Sequence, residues 1–170
     1  MQKVLIIGSG GSGKTTLGRR IAELTGLPLV HLDALFWREG WVPTPDGEWD
    51  RVVAELINGD AWILDGNYGR VLRVRLAACD TVIFLDLPPW LCLWRILKRR
   101  FRYKGRRRPD LPEGCPERLN WEFARWVLGY RRNQRPGVLE RLSDFGDKRV
   151  VILRSQSSIE RFVASVEASA

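Results

Sequence analysis

A glycine-rich segment between an apolar run and a helical pattern constrains this chain more than any other feature. Residues 8–15 are Gly-Ser-Gly-Gly-Ser-Gly-Lys-Thr, which fit G-x-x-x-x-G-K-[ST] at every fixed position. The apolar run before them, residues 3–7, predicts a buried strand. Residues 14–25 carry apolar side chains at i, i+4 and i+7, which predicts an amphipathic helix. A strand that enters a helix through such a segment is the context in which the pattern forms a phosphate loop.

The residue types in this phosphate loop (residues 8–15) suit a nucleoside triphosphate. Glycines let backbone N–H groups turn inward around an anion, and the following helix adds the positive end of its dipole. We expect Lys14 to reach the β- and γ-phosphates and Thr15 to offer its hydroxyl to Mg²⁺. The sequence therefore predicts ATP and Mg²⁺ as ligands. The predicted nucleotide-binding residues are Gly8, Gly10, Gly11, Ser12, Gly13, Lys14, Thr15 and Thr16.

Apolar runs alternate with helical patterns along the rest of the chain. Further strands are predicted at residues 29–32, 61–64, 81–85 and 149–153. Such alternation indicates an α/β protein whose parallel sheet is covered by helices on both faces. We therefore expect a single domain over residues 1–170, built as the three-layer sandwich of P-loop NTPases around a five-stranded parallel sheet.

Polar residues that follow two of the predicted strands are candidates for binding a phosphate acceptor. Ligands of doubly wound sheets lie beyond the carboxyl ends of the strands, so Asp33 is expected to point into the cleft. There it would orient an acceptor hydroxyl or a Mg²⁺-bound water, although a turn aspartate is the alternative. Arg70 follows the third strand and is predicted to grip a phosphate or carboxylate, with an exposed helical arginine as the alternative. The predicted acceptor-binding region spans about residues 33–60.

Other charged residues near the predicted cleft leave their roles open. Asp86 ends the fourth strand, where it would hold a Mg²⁺-bound water as a metal-site residue or cap the next helix. Arg131, Arg132 and Arg135 come later in the chain. One of these arginines could return to the phosphates, and the sequence does not choose among them.

One segment carries the whole positive excess of the chain, whose formal net charge is +8. Residues 95–108 hold nine basic side chains and no acidic one, while the rest is close to neutral. Phosphoryl transfer needs cations that close over the transferring group and a cover that excludes water from it. The basic segment could supply both, which favours an arginine-rich lid over about residues 95–118. Arg99 and Arg100 are the predicted catalytic arginines of that lid. The alternative is a nucleic-acid contact through residues 95–108, which would weaken steeply with salt.

Eight tryptophans are many for a chain of this length. Trp37 and Trp41 lie after Asp33, beside the expected acceptor site, where stacking on a base is one interpretation and packing the other. The remaining ones that fall in strand or helix patterns are predicted to lie in the core: Trp62, Trp90, Trp94, Trp121 and Trp126.

These motifs together resemble the P-loop kinases of the adenylate and shikimate kinase group. Within it the chain most resembles bacterial DNA topology modulation proteins, also described as adenylate kinase-related kinases. The resemblance covers nearly the whole chain. It rests on Gly8–Thr15, His31–Asp33, Trp62–Tyr68, Phe84–Asp86, Trp90–Arg95, Arg107–Asp110 and Glu113–Glu117.

The resemblance implies specific roles for two strand-end residues. In adenylate kinases an Asp-Gly-x-Pro-Arg motif ends the third strand, and its arginine holds the acceptor's phosphate. Here Gly69-Arg70 follows Gly66, which implies that role for Arg70. In shikimate kinases an Asp-x-Asp motif ends the second strand; here His31 stands in place of the first aspartate and Asp33 matches the second.

The resemblance also implies an activity. We expect transfer of the ATP γ-phosphate to a small acceptor, in the first place a nucleoside monophosphate such as AMP. The alternatives are a kinase of a small hydroxyl-bearing metabolite and a DNA-associated ATPase or topology-modulating protein. Three cysteines without a close pair favour a reducing compartment, and no stretch approaches the roughly 18 apolar residues of a membrane span. A cytoplasmic protein is therefore expected, and its oligomeric state is not predicted.

Overall fold

The computed structural model describes residues 1–103, 111–115 and 120–169. Its strands are β1 (Lys3–Gly8), β2 (Leu29–His31), β3 (Trp37–Arg38), β4 (Val42–Pro43), β5 (Trp62–Asp65), β6 (Thr81–Leu85) and β7 (Arg149–Leu153). Its helices are α1 (Lys14–Thr25), α2 (Leu32–Phe36), α3 (Asp46–Asn58), α4 (Leu72–Ala78), α5 (Pro89–Arg102), α6 (Trp121–Asn133), α7 (Arg135–Ser143) and α8 (Gln156–Glu167). Short 3-10 turns cover Glu39–Trp41 and Gly69–Val71.

Five of the strands form one parallel sheet in the order β2-β5-β1-β6-β7. This confirms the predicted α/β fold with a five-stranded parallel sheet. β1 lies at the centre, so the phosphate loop that follows it opens in the middle of the carboxyl edge. β2 and β5 are the neighbours on one side, and their register places His31 opposite Asp65 at that same edge. The sheet therefore gathers the ends of three strands around the phosphate loop.

The two faces of the sheet bury alternate residues of the same strand. Val4 and Ile6 of β1 belong to a core cluster with side chains of α1, α5 and α8. Leu5 and Ile7 belong to a second cluster with side chains of α3, α4 and α7. A parallel strand that is covered on both faces reads as a continuous apolar run, which is why residues 3–7 carry no polar alternation. The result is the expected three-layer sandwich.

The predicted tryptophan core is only partly correct. Trp62 is buried and Trp126 is half-buried, but Trp90, Trp94 and Trp121 are 68%, 54% and 72% exposed. α5 buries its opposite face through Cys92 and Ile96. Helical spacing alone does not tell which of two apolar faces turns to the sheet, and the prediction for Trp90 and Trp94 was wrong for that reason.

A short antiparallel pair was not foreseen. β3 and β4 pair through Trp37–Pro43 and Arg38–Val42, with the 3-10 turn between them. Strands of two residues are too short to leave a period in the sequence. Within the described residues, none of the helices has the length and apolar character that crossing a bilayer requires.

Candidate active site

A cavity of about 900 Å³ opens beyond the carboxyl ends of β1, β2 and β5. Eight consecutive residues, 10–17, line it, and they include Lys14, Thr15 and Thr16. The volume lies at the upper end of the range of roughly 300–1,000 Å³ that small-molecule sites occupy. The cavity is therefore large enough for a nucleotide and a small second ligand together.

The phosphate loop has the shape and donors that a polyphosphate requires. Gly11 and Gly13 adopt φ angles of 75° and 97°, and a Cβ at Gly11 would lie 2.3 Å from the carbonyl oxygen of Cys92. No described side chain caps the first turn of α1, so its leading N–H groups and helix dipole remain available to an anion. The Lys14 ammonium donates to the carbonyls of Gly8 (3.0 Å) and Ser9 (3.1 Å), which holds it against the loop.

A hydroxyl and a carboxylate meet beside this loop. The Thr15 hydroxyl donates to Asp65 Oδ2 at 2.8 Å, and His31 Nδ1 lies 3.0 Å from the same oxygen. Asp65 is buried at the end of β5. Oxygen ligands of these two types suit Mg²⁺, so Thr15 and Asp65 fit the metal that accompanies ATP. Asp65 was missed as a site residue, although its position at the end of a strand beside the phosphate loop was readable in the sequence.

Asp86, the other predicted metal residue, lies in different surroundings. Its buried carboxylate contacts Arg135 Nε at 2.9 Å, Arg131 Nε at 3.5 Å and Arg154 Nε at 3.6 Å. It is not among the described residues that line the cavity. Three guanidinium groups neutralise this acid and repel a metal cation, so the structure argues against Asp86 as a metal residue.

Asp86 does not cap the next helix either. The N-cap of α5 is Pro88, and no side-chain hydrogen bond is made there. Asp86 instead ties together three arginines that come from α6, α7 and the segment after β7. Arg131 and Arg135 are therefore turned to this buried acid. Long-range pairing of this kind leaves no local sign in the sequence.

A matched pair of substitutions separates the roles of Asp65 and Asp86. Asp65→Asn is expected to raise the Mg²⁺ concentration needed for half-maximal ATP turnover about tenfold or more, because it removes the anionic charge beside Thr15. Asp86→Asn is expected to leave that concentration unchanged and to lower the free energy of unfolding by about 2 kcal/mol, since charged hydrogen bonds are lost. Mg²⁺ titrations and urea denaturation of both variants measure this. The opposite pattern would return the metal to Asp86.

Asp33 lies in the first turn of α2 and lines the cavity. The Tyr68 hydroxyl donates to Asp33 Oδ1 at 2.6 Å. Burial, and then the nearby Asp33 carboxylate, raise the pKa of Tyr68 far above its usual value. The phenol therefore stays protonated and fixes one oxygen of Asp33, while the exposed carboxylate keeps its other oxygen for a ligand. The predicted position of Asp33 in the cleft agrees with this geometry.

Arg70 does not reach the cavity. Its guanidinium contacts Asp50 Oδ1 at 2.5 Å and the Asp46 carbonyl at 2.7 Å, both on α3. The side chain is about half exposed and is not among the described lining residues. The acids in the first turns of α3 compete for this cation, which the sequence argument did not consider. The structure therefore gives no support to Arg70 as an acceptor-binding residue.

Arg75 is the arginine that fixes the turn after β5. It is fully buried and donates to four backbone carbonyls, those of Gly66, Asn67, Tyr68 and Val71. Burial lowers its pKa to about 10, so the guanidinium remains charged at neutral pH. These bonds fix the turn after β5. Within that turn the Asn67 side chain accepts from the Gly8 N–H at 2.9 Å, which joins the turn to the phosphate loop.

One face of α5 supplies four cations to the cavity. Arg95, Arg99 and Arg102, at i, i+4 and i+7, line it together with Lys98. Arg95 donates to the Ser12 carbonyl at 3.1 Å and to Gln156 Oε1 at 2.9 Å, which anchors α5 to the phosphate loop. Arg100 is exposed and is not among the described lining residues, so the structure does not support it as a catalytic group. Helical spacing could have selected Arg95 and Arg102 in its place.

Only part of the predicted lid is described, because residues 104–110 and 116–118 lie outside the described residues. Its described end packs on the segment formed by β3 and the 3-10 turn that follows it. The Gly40 N–H donates to the Gly114 carbonyl at 3.1 Å, and the Cys115 thiol donates to the Arg38 carbonyl at 3.1 Å. Leu111 is buried and lines the cavity. This segment therefore joins the β3–β4 pair in closing the cavity.

Two groups of characterised proteins are similar to the chain in sequence. The ATP-dependent protease ATPase subunit HslU of Helicobacter pylori is 26% identical over 141 residues, 82% of this chain and 27% of HslU. Shikimate kinase of Nitrobacter winogradskyi is 31% identical over 117 residues, 59% of this chain and 54% of that enzyme. The chain thus spans about a quarter of HslU and about half of the shikimate kinase. No family model matches it.

Two solved structures are similar over nearly the whole chain. Shikimate kinase from Acinetobacter baumannii in complex with shikimate has a TM-score of 0.59, with 21% identity over 98% of this chain and 90% of that one. A gluconokinase from Sinorhizobium meliloti has a TM-score of 0.54, with 20% identity over the same shares. The chain has the P-loop kinase fold of these enzymes. The expected closeness to DNA topology modulation proteins stays a prediction.

Proposed function

We propose that this protein is a kinase that transfers the γ-phosphate of ATP to a hydroxyl group of a small metabolite. The observation that carries the proposal is that Asp33 lies in the same cavity as Lys14 and Thr15. A carboxylate on one side of the cavity and phosphate-binding groups on the other are the parts that phosphoryl transfer to an alcohol needs. The likeness to shikimate kinase and gluconokinase supports the same class of reaction.

The residues divide the work of transfer between them. Asp33 accepts the proton of the acceptor hydroxyl while the hydroxyl oxygen forms a bond to the γ-phosphorus. At the same time the bond between the γ-phosphorus and the β–γ bridging oxygen breaks, and ADP leaves. Lys14 and the arginines of α5 stabilise the negative charge on the phosphoryl oxygens. Thr15 and Asp65 would hold Mg²⁺, which neutralises phosphate charge when it is bound with ATP.

The expected nucleoside monophosphate acceptor has less support than a hydroxyl acceptor. Its phosphate would need an arginine on the acceptor side, and Arg70 is engaged by Asp46 and Asp50. A phosphate acceptor is already a nucleophile and carries no hydroxyl proton to remove, so the Asp33 carboxylate would have no role as a base. Both features favour an alcohol over a monophosphate.

Nucleic acid is the other expected partner, through residues 95–108. In the described part of that segment, Arg95, Lys98, Arg99 and Arg102 line the cavity. The nucleotide site thus accounts for most of the described positive charge without DNA. Nucleic acid remains the alternative partner, and the test includes duplex DNA for that reason.

The test is ADP formation from Mg-ATP by the purified protein. We expect a low rate with ATP alone and a clear increase with at least one hydroxyl acceptor from a panel of cyclic acids, sugar acids, sugars and nucleosides. Nucleoside monophosphates and duplex DNA are expected to give no increase. Stimulation by a monophosphate alone would restore the nucleotide acceptor, and stimulation by DNA alone would replace the kinase with a DNA-linked ATPase.

A further inference from the structure

Two tryptophans form part of the acceptor wall. Trp37, the first residue of β3, and Trp41, the last residue of the 3-10 turn that joins β3 to β4, line the cavity together with Asp33. Their rings meet edge to face, with centroids 5.3 Å apart and an angle of 67°. Both side chains are half-buried, so each keeps surface toward the cavity. Indole rings at this place offer broad apolar surface beside a carboxylate.

The indoles are held in place by a chain of aromatic contacts. Trp37 packs edge to face on Phe36, with ring centroids 4.9 Å apart. Phe36 packs on Tyr68 at 4.6 Å, and Tyr68 donates its hydroxyl to Asp33. The tryptophan pair and the carboxylate are therefore parts of one rigid wall. A ligand that touches the indoles has its position relative to Asp33 fixed.

Backbone strain falls on this same wall. Trp41 (φ 67°) and Tyr68 (φ 34°) are the residues other than glycine that have positive φ in the described part of the chain. Left-handed backbone is costly for bulky side chains, and residues held in it concentrate at ligand-binding sites. Both strained residues are aromatic and both line the cavity. The fold thus maintains an unfavourable backbone at two positions that present aromatic rings to the acceptor.

From these features we infer that the acceptor is a ring compound, whose flat face contacts Trp37 and Trp41 while its hydroxyl reaches Asp33. This rests on the proposed function for the role of Asp33. A planar base and the C–H face of a saturated ring both present the broad apolar surface that indoles bind. An open-chain polyol presents no such face, and its freedom of rotation would be lost on binding. The shared chemistry is a flat ring that carries, or is joined to, an alcohol.

The test compares ring and open-chain ligands of matched charge. Shikimate and D-gluconate are both carboxylates, methyl β-D-glucopyranoside and D-sorbitol are both neutral, and adenosine represents a planar base. Binding to the protein with Mg-ADP is measured by saturation-transfer NMR, which needs no turnover. We expect at least one ring compound to bind at millimolar concentration or below, with saturation strongest on its ring protons. Binding of D-gluconate or D-sorbitol as tight as that of every ring compound would overturn the inference, as would no binding by any ring.

Trp41→Gly tests the indole without straining the backbone. Glycine adopts φ 67° readily, so this variant removes the ring without adding backbone strain, and its melting temperature shows what the lost ring packing costs. We expect it to weaken ring binding about tenfold or more. Trp90→Ala, which removes an exposed indole outside the described cavity lining, should leave ring affinity unchanged. Unchanged ring affinity in a folded Trp41→Gly protein would contradict the inference.

Failure of the inference and failure of the proposed function give different results. If a ring compound binds through Trp41 but gives no ADP in the turnover assay, the acceptor site stands and the kinase proposal fails. If ADP forms with an open-chain acceptor and the rings do not bind, the kinase proposal stands and the ring inference fails. A positive result also names the kind of ring, because adenosine carries a planar aromatic base while shikimate and the glucopyranoside carry non-aromatic rings.

Discussion

Asp33→Asn is expected to lower kcat for a hydroxyl acceptor by about 10²–10⁴-fold, the range that removal of a general base typically produces. Asparagine keeps the size of the side chain and accepts a hydrogen bond from Tyr68, but it takes no proton from an alcohol. Tyr68 holds Asp33 at 2.6 Å in the wild-type protein, so the amide should stay in the same place. The loss should therefore fall on kcat, with little change in the KM for ATP.

Two controls make this result specific to the proton transfer. Asp60→Asn changes an exposed acid outside the described cavity lining and should leave kcat unchanged. The dissociation constant of the alcohol acceptor, measured in the presence of Mg-ADP, should change little in Asp33→Asn, because the amide keeps the size of the side chain and its hydrogen bond with Tyr68. A loss of acceptor affinity as large as the loss of kcat would show that Asp33 acts by positioning the acceptor rather than as a base.

Lys14→Met is expected to lower kcat/KM for ATP by about 10²–10³-fold, the effect of removing one preorganised group that stabilises transition-state charge. Methionine keeps most of the length of the side chain and loses the ammonium. Lys14 donates to the carbonyls of Gly8 and Ser9 and itself lines the cavity, so water that enters in place of the ammonium can donate to these carbonyls in the variant. Stability should therefore change little, and the loss should appear in catalysis.

Steady-state rates at varied ATP concentration and a thermal melt together measure this prediction. Lys148→Met is the matched control, because Lys148 pairs with Asp147 away from the described cavity lining and should retain full activity. Activity of Lys14→Met within a factor of ten of the wild-type protein, with the fold intact, would contradict the assignment of this loop to the triphosphate.

The features that the sequence predicted correctly are those with a local pattern. The phosphate loop is a contiguous motif, and the buried strands β1 and β6 are unbroken apolar runs, so both appear where they were expected. The central position of β1 then brings the loop and the ends of β2 and β5 to one edge. The expectation that Asp33 lies in the cleft came only from the rule that ligands of such sheets lie beyond the carboxyl ends of the strands. Asp65 could have followed from it as well, since it ends β5 beside the loop.

The features that the sequence missed depend on which distant partner a charge finds. Arg70 pairs with acids of α3, and Asp86 gathers arginines from three later segments. Arg75 is buried without a described acidic partner and holds the turn after β5 through bonds to backbone carbonyls. The partners of these three residues are not encoded in a period or a motif of the sequence. The exposure of Trp90 and Trp94 on α5 was missed for a related reason, because the helix has two apolar faces and the sequence does not tell which one packs on the sheet.

The chemical nature of the bond formed from the γ-phosphate tests the central claim most directly. Phosphorus-31 NMR of the reaction with Mg-ATP and the acceptor that raises ADP formation distinguishes a phosphate monoester from an anhydride. The kinase proposal predicts ADP together with a monoester resonance that couples to the carbon-bound protons of the acceptor, and that is absent with Asp33→Asn. An anhydride signal formed from a nucleoside monophosphate, or ADP and inorganic phosphate as the only products with every acceptor, would contradict it.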